Sequence, residues 1–133
     1  METVDNIIIK EWSDLNLKDD LLRGIYAYGF EQPSEIQKKA IYPITQKKDI
    51  IAQAQSGSGK TGTFSISSLQ RVNIKEDYTQ ILILAPTQEL ALQIYKVLTS
   101  IGTFLEGLQV KSLVGGTSVQ QDIREINNKT PHI

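Results

Sequence analysis

Apolar residues recur along this chain in two patterns, one with helical spacing and one in continuous runs. From Leu15 to Tyr28, the residues Leu17, Leu21, Leu22, Ile25 and Tyr26 fall at helical intervals, and Gly29 stands where a helix is commonly stopped. This predicts a helix over 15–28, with Ser13 or Asp14 placed to cap it. A second helix opens at Pro33-Ser34, runs through Ile36, Ala40 and Ile41, and breaks at Pro43. The turn Lys47-Lys48-Asp49 then leads into a short apolar run, Ile50-Ile51-Ala52, and beyond it Thr63, Phe64, Ile66 and Leu69 again take a spacing that buries one helix face. Ile81-Leu82-Ile83-Leu84-Ala85 is continuously apolar, as in a strand covered on both faces and hence in a parallel sheet. Pro86 ends it. Leu90, Ile94, Val97, Leu98 and Ile101 mark an amphipathic helix closing near Gly102. Val110 to Val114 reads as a third strand, Gly115-Gly116 as a turn, and Val119 to Ile126 as a helix.

From the run at Ile50 onward the order is β-α-β-α-β-α, which predicts an α/β fold: a parallel sheet flanked by helices, with right-handed crossovers. Residues 1–28 form a flanking segment with its own helix, and 29–133 form the main unit. Ile7-Ile8-Ile9 is a candidate docking strand. Pro131-His132-Ile133 reads as the start of a further strand, so the expectation is a domain incomplete at its C-terminal side.

Composition narrows the function classes. With 133 residues, 40% of them hydrophobic and 22% charged, the chain has the make-up of about one globular domain. It contains no cysteine, which excludes a disulfide framework and thiolate metal sites. The single histidine, His132, leaves no metal cluster and no Ser/His or Cys/His pair to build. No apolar stretch approaches the ~20 residues of a membrane helix. Met1 to Asp5 is acidic and lacks the basic region of a signal peptide. The expectation is a soluble intracellular protein without a membrane partner, cytoplasmic ahead of nuclear. A net charge of −1 gives no general attraction to nucleic acid, so any such contact must be local.

The chemistry concentrates at Ala54-Gln55-Ser56-Gly57-Ser58-Gly59-Lys60-Thr61, between an apolar run and a predicted helix. Glycines on either side of Ser58 let the backbone curl until successive N–H groups face one concavity, and a helix starting near Lys60 adds its positive end there. Such a concavity suits a phosphate chain. Lys60 brings a full charge to the outer phosphates, and the Thr61 hydroxyl is placed to hold Mg2+. Gly59-Lys60-Thr61 fits the end of the P-loop pattern, although Ala54 replaces its first glycine. The bland reading, a Gly/Ser turn before a solvated lysine, does not explain why strand, loop and helix occur in that order. No acidic residue closes an apolar strand, and a phosphate-loop enzyme needs one to position magnesium and water.

Several stretches together resemble the DEAD-box ATP-dependent RNA helicases, most closely the eukaryotic initiation factor 4A branch. Gly29-Phe30-Glu31-Gln32-Pro33-Ser34-Glu35-Ile36-Gln37 resembles the Q motif of that family, and Trp12 stands at the place of its isolated upstream aromatic. Ala54 to Thr61 resembles its phosphate loop, where alanine is the usual first residue. Pro86-Thr87-Gln88-Glu89-Leu90-Ala91 resembles motif Ia, and Gly115-Gly116 the paired-glycine motif. The likeness covers roughly residues 11–133, and implies the N-terminal part of a RecA-like domain. Gln88 departs from the arginine of the family, removing one expected charged contact to RNA. The family's DEAD tetrapeptide and second domain have no counterpart here, so the chain alone is not expected to hydrolyse ATP.

The resemblance implies a set of roles. ATP with Mg2+ would be held by Trp12, Phe30, Gln32, Pro33, Gln37, the loop from Ala54 through Gln55, Ser56, Gly57, Ser58, Gly59, Lys60 and Thr61, and Gly62. Lys60 and Thr61 would be catalytic, with Thr61 the metal ligand. Gln37 would read adenine, since its amide offers one donor and one acceptor to the N7/N6 edge while guanine presents two acceptors. Phe30 would lie on the adenine face, and Trp12 would either touch it or prop the pocket. RNA would be gripped along its backbone by Pro86, Thr87, Gln88, Gly115, Gly116 and Thr117. Glu89 reads as a first-turn helix acid rather than a base. Protein partners would belong to translation initiation or mRNA processing. An RNA clamp with little turnover and a nucleotide kinase are the alternatives.

Overall fold

The computed structural model describes residues 7–133, so the Met1–Asp5 stretch lies outside the described residues. A short 3-10 helix, Trp12–Leu15, precedes five α-helices: α1 Asp19–Tyr28, α2 Glu35–Thr45, α3 Lys60–Arg71, α4 Gln88–Ile101 and α5 Val119–Asn128. Their core joins Trp12 and Leu15 to Leu21 and Ile25 of α1, Ile41 of α2, Ile66 and Leu69 of α3, and Ile94, Leu98 and Ile101 of α4. Helix α3 is central, touching α1, α2 and α4. It is therefore the element whose displacement would disturb α1, α2 and α4 together.

The helix predicted over 15–28 is interrupted. Asn16 takes a left-handed conformation, with φ 52°, and ends the 3-10 turn, so α1 begins only at Asp19. Between them, Lys18 is drawn onto the C-terminal end of α3. Its ammonium donates to the carbonyls of Leu69 (3.1 Å) and Val72 (2.6 Å), and its backbone N–H donates to Gln70 Oε1 (2.8 Å). A cation at a helix C-terminus satisfies carbonyls that have no helical partner and complements the dipole. Burial pushes the Lys18 pKa below the usual lysine range. Neither Ser13 nor Asp14 caps α1. Asp14 Oδ2 instead accepts from the backbone N–H groups of Lys10 (2.8 Å) and Glu11 (2.9 Å), bonds that hold its carboxyl below the usual range.

Pro43 does not break α2, which continues to Thr45. In the last turn a proline forfeits a single helical bond, and its own carbonyl is used twice, by Gln46 N–H and Lys48 N–H, both at 3.1 Å. Gly29 does close α1 as expected, with φ 102°.

No β-strand is present among the described residues. The run 81–85 alternates instead of being covered on both faces: Ile81, Ile83 and Ala85 pack on the core, while Leu82 and Leu84 are 80% and 84% exposed. The backbone explains why the apolar runs do not pair with each other. Gln80 and Ile81 donate to the His132 carbonyl (2.9 and 3.2 Å), whereas His132 N–H donates to Gln109 O (2.8 Å) and Lys111 N–H to Ile133 O (3.0 Å). Residues 132–133 thus separate the two runs. Beyond them lies a cavity of about 340 Å3 lined by Ile83, Leu84, Ile94, Val110 and Leu113. Ile7 and Ile8 are exposed and Ile9 packs against the core, without strand structure.

Helices α1 and α4 cross where Gly24 is buried, and a Cβ there would stand 1.8 Å from the carbonyl oxygen of Ile101. Alanine gains at most ~1 kcal/mol of helix propensity over glycine. The clash is with backbone, which cannot swing away, and overpacking of this kind costs ~1–3 kcal/mol. Gly24→Ala should therefore lower the urea midpoint of the chain. A midpoint equal to or above wild type would show that the crossing is looser than described.

Candidate functional site

Two helix N-termini meet at one corner, joined through Gln37. Gly59 is the N-cap of α3 and has no side-chain capping bond, so the first-turn N–H groups of that helix remain unclaimed by a cap. Gly57 and Gly59 take φ values of 78° and 95°, which suit glycine, and Ser58 N–H between them donates to the Gln55 carbonyl at 3.2 Å. Helix α2 begins at Ser34, whose hydroxyl accepts from Gln37 N–H, while Gln37 Oε1 accepts from Ser34 N–H at 2.8 Å. This reciprocal cap was legible as Ser34-Glu35-Ile36-Gln37, a Ser-x-x-Gln pattern the sequence reading did not use.

Gln37 also ties the two helices together. Its Nε2 donates to the Gly59 carbonyl at 3.2 Å, and the side chain is 3% exposed. That approach requires glycine at two places. A Cβ on Gly59 would lie 2.7 Å from Gln37 Nε2, and one on Gly62 would lie 2.8 Å from it and 3.1 Å from Phe30. After these bonds, the amide keeps one N–H and one oxygen lone pair.

Phe30 lines the same corner. Its ring meets Tyr28 edge-on, with centroids 4.8 Å apart, and stacks at 6.1 Å on Trp12. Trp12 is fully buried and its Nε1 donates to the Phe30 carbonyl at 3.1 Å, so it supports Phe30 from beneath rather than presenting a free face. Pro33 is buried and Gln32 exposed beside it.

Lys60 folds back over the loop. Its ammonium donates to the carbonyls of Ala54 and Gln55, the latter at 2.9 Å. Ser58 Oγ is buried there without a hydrogen-bond partner. An unpaired buried hydroxyl, a helix N-terminus without a side-chain cap and a lysine satisfied only by loop carbonyls together fit an oxygen-rich anion such as a phosphate chain. Thr61 is half-buried, next to Gly62, in the first turn of α3. Among the described residues no group of three His, Cys, Asp or Glu side chains could hold a metal ion.

The second set of sequence-predicted residues gathers at two turns that touch. Thr87 is the N-cap of α4, its hydroxyl accepting from Leu90 N–H at 3.2 Å. Gln88 reaches across to the paired glycines: a Cβ on Gly115 would stand 2.9 Å from Gln88 Nε2. Gly116 has φ 89° and open space where a Cβ would be. Pro86, Thr87, Gln88, Gly115, Gly116 and Thr117 are all exposed. The sequence reading missed the polar support beneath: Thr117 Oγ1 lies 2.9 Å from Asp122 Oδ2, and Asp122 pairs with Lys111 at 3.4 Å. Lys111 interrupts an apolar run, which was the available signal.

The sequence model of the family described as "DEAD/DEAH box helicase" matches residues 34–133. The chain is 58% identical over 119 residues to the ATP-dependent RNA helicase eIF4A of Scheffersomyces stipitis, a match covering 90% of this chain and 30% of that protein. The structure of a DEAD box protein from Methanococcus jannaschii superposes with a TM-score of 0.84 at 34% identity, covering 93% of this chain and 33% of the other. That of a Leu-to-Val variant of S. cerevisiae Dbp5 bound to RNA and ADP BeF3 gives a TM-score of 0.73 at 36% identity, covering 83% and 30%. The chain thus spans about a third of the length of these relatives. From its phosphate-loop geometry, its motifs in order and these matches, the chain belongs to the DEAD/DEAH box helicase family.

Proposed function

We propose that this chain supplies the nucleotide-gripping part of an eIF4A-like, ATP-dependent RNA helicase, within a protein of the relatives' length. The observation that carries the reading is the joint corner of Gln37, Phe30 and the glycine-turned start of α3. Adenine would sit against Phe30 and use the N–H and lone pair that Gln37 retains. Phosphates would exchange with the loop carbonyls for the Lys60 ammonium, take the free Ser58 hydroxyl, and face the uncapped α3 amides. Bound Mg2+ would supply charge neutralisation between the outer phosphates, with Thr61 as its ligand from this chain. In the longer protein, the runs at Ile50, Ile81 and Val110 would form the parallel sheet of a RecA-like domain, the strand set being completed beside residues 131–133.

RNA would lie over the joined turns at Thr87-Gln88 and Gly115–Thr117, contacted through its backbone. The likeness to a structure of the Dbp5 Leu-to-Val variant bound to RNA and ADP BeF3 supports RNA as a ligand of the longer protein. The eIF4A likeness supports a reading with partners in translation initiation or mRNA processing, and a cytoplasmic setting is proposed with it. The kinase alternative has no observation in its favour.

Two substitutions test the reading. Lys60 is the positive charge that touches the phosphate loop, so Lys60→Ala in the full-length protein should abolish RNA-stimulated ATPase, a loss of ~3 kcal/mol or more of transition-state stabilisation. Activity within a few-fold of wild type would remove Lys60 from the site. Gln37→Ala should weaken ATP by ~1–3 kcal/mol while leaving GTP nearly unchanged. Because Gln37 also caps α2, equal weakening of both nucleotides would assign it a structural role only.

A further inference from the structure

Thr117 is the hydroxyl nearest the paired glycines, and it is already committed. Its single proton lies between two acceptors, Asp122 Oδ2 at 2.9 Å and the Val114 carbonyl at 3.1 Å. Nothing remains for it to donate to a phosphate. Among the described residues, the backbone N–H groups of Gly115, Gly116 and Thr117 donate to no backbone carbonyl, and Gly116 faces open space. The donors this turn offers are therefore amides, and their direction depends on what holds Thr117.

That support is a charged relay. Asp122, in the first turn of α5, accepts from Thr117 on one oxygen and pairs through the other with Lys111 at 3.4 Å. Lys111 also pairs with Glu125, whose second oxygen accepts from Gln121 Nε2 at 3.0 Å. The backbone N–H of Lys111 is fixed to the Ile133 carbonyl at 3.0 Å. So the lysine stands on a rigid run, and the turn is braced against it. Without Lys111, two carboxylates would face an approaching polyanion with no cation between them, and like charge at that range is repulsive.

We propose that Lys111 and Asp122 are positioning residues for RNA: they hold Thr117 so that the amides of Gly115, Gly116 and Thr117 point outward, and Lys111 cancels carboxylate charge beside that turn. The proposal rests on the reading that RNA crosses this turn. Neither residue touches the phosphate; both act through the turn.

The test measures the single-stranded RNA concentration that half-saturates the ATPase of the full-length protein, with KM for ATP read alongside. Lys111→Met should raise the half-saturating RNA roughly three- to tenfold at low salt, the difference shrinking as salt rises, with KM for ATP unchanged. Lys111→Arg should restore wild-type behaviour. The neutral triple variant K111M/D122N/E125Q should return to within about twofold, since asparagine keeps an acceptor for Thr117 and no carboxylate remains. An unchanged half-saturation in Lys111→Met would overturn the proposal. So would a loss that persists in the triple variant, or one accompanied by a raised KM for ATP, because either would mean collapse of the fold rather than charge at the turn. Gly115→Glu separates the underlying reading, since its Cβ meets only the end of the flexible Gln88 side chain. If RNA tolerates a carboxylate there, RNA does not cross this turn; if Gly115→Glu blocks RNA while Lys111→Met is silent, the turn stands and the relay fails.

Discussion

The side-chain amide of Gln37 joins the two helices whose N-termini make the proposed nucleotide corner, and the rest of the site depends on that junction. One end of the amide closes the cap of α2 on Ser34, and the other donates to Gly59 at the start of α3. A buried amide must be bonded, because leaving it unpaired costs on the order of 1–3 kcal/mol. The same bond therefore holds α2 against the phosphate loop and fixes the face of Gln37 that remains for a ligand. Glycines at 59 and 62 admit the close approach, and Trp12 fixes Phe30 beside it. In the proposed site, stability and recognition are thus carried by one group.

Held in this way, the loop satisfies itself. Lys60 is engaged by two carbonyls of its own loop, so a phosphate chain gains only the difference between its contacts and theirs. Ser58 Oγ is the exception, buried and unpaired. At the opposite end of α3, Lys18 grips the last carbonyls. The central helix is thereby fixed at its C-terminus by a cation and left at its N-terminus with amides available to an anion.

Much of this was legible in the sequence because it is local. Helical spacing placed the five α-helices, Gly29 ended α1, and Ala54 to Thr61 announced the loop. Where the reading and the structure part, contacts distant in sequence decide most cases. Lys18 is tethered to residues 51–54 positions away, which no spacing rule detects, and the helix predicted across it is divided. Pro43 was read as a break, yet a proline in a last turn removes only one bond. The run 81–85 was read as covered on both faces from its apolar content, whereas Leu82 and Leu84 face outward in this chain. The Lys111–Asp122–Thr117 relay could not be found by pattern, because its three members come from a run, a helix and a turn.

The account's central claim is that nucleotide replaces contacts the loop makes with itself, and amide NMR of the 133-residue chain tests it most directly. Titration with ATP should shift the backbone signals of Gly57, Ser58, Gly59, Lys60 and Thr61 together with the Gln37 side-chain NH2, while GTP should leave the Gln37 signal in place. The amides of Gly115 to Thr117 should not move with either nucleotide. Shifts confined to residues outside 57–62, or a Gln37 response equal for ATP and GTP, would contradict it.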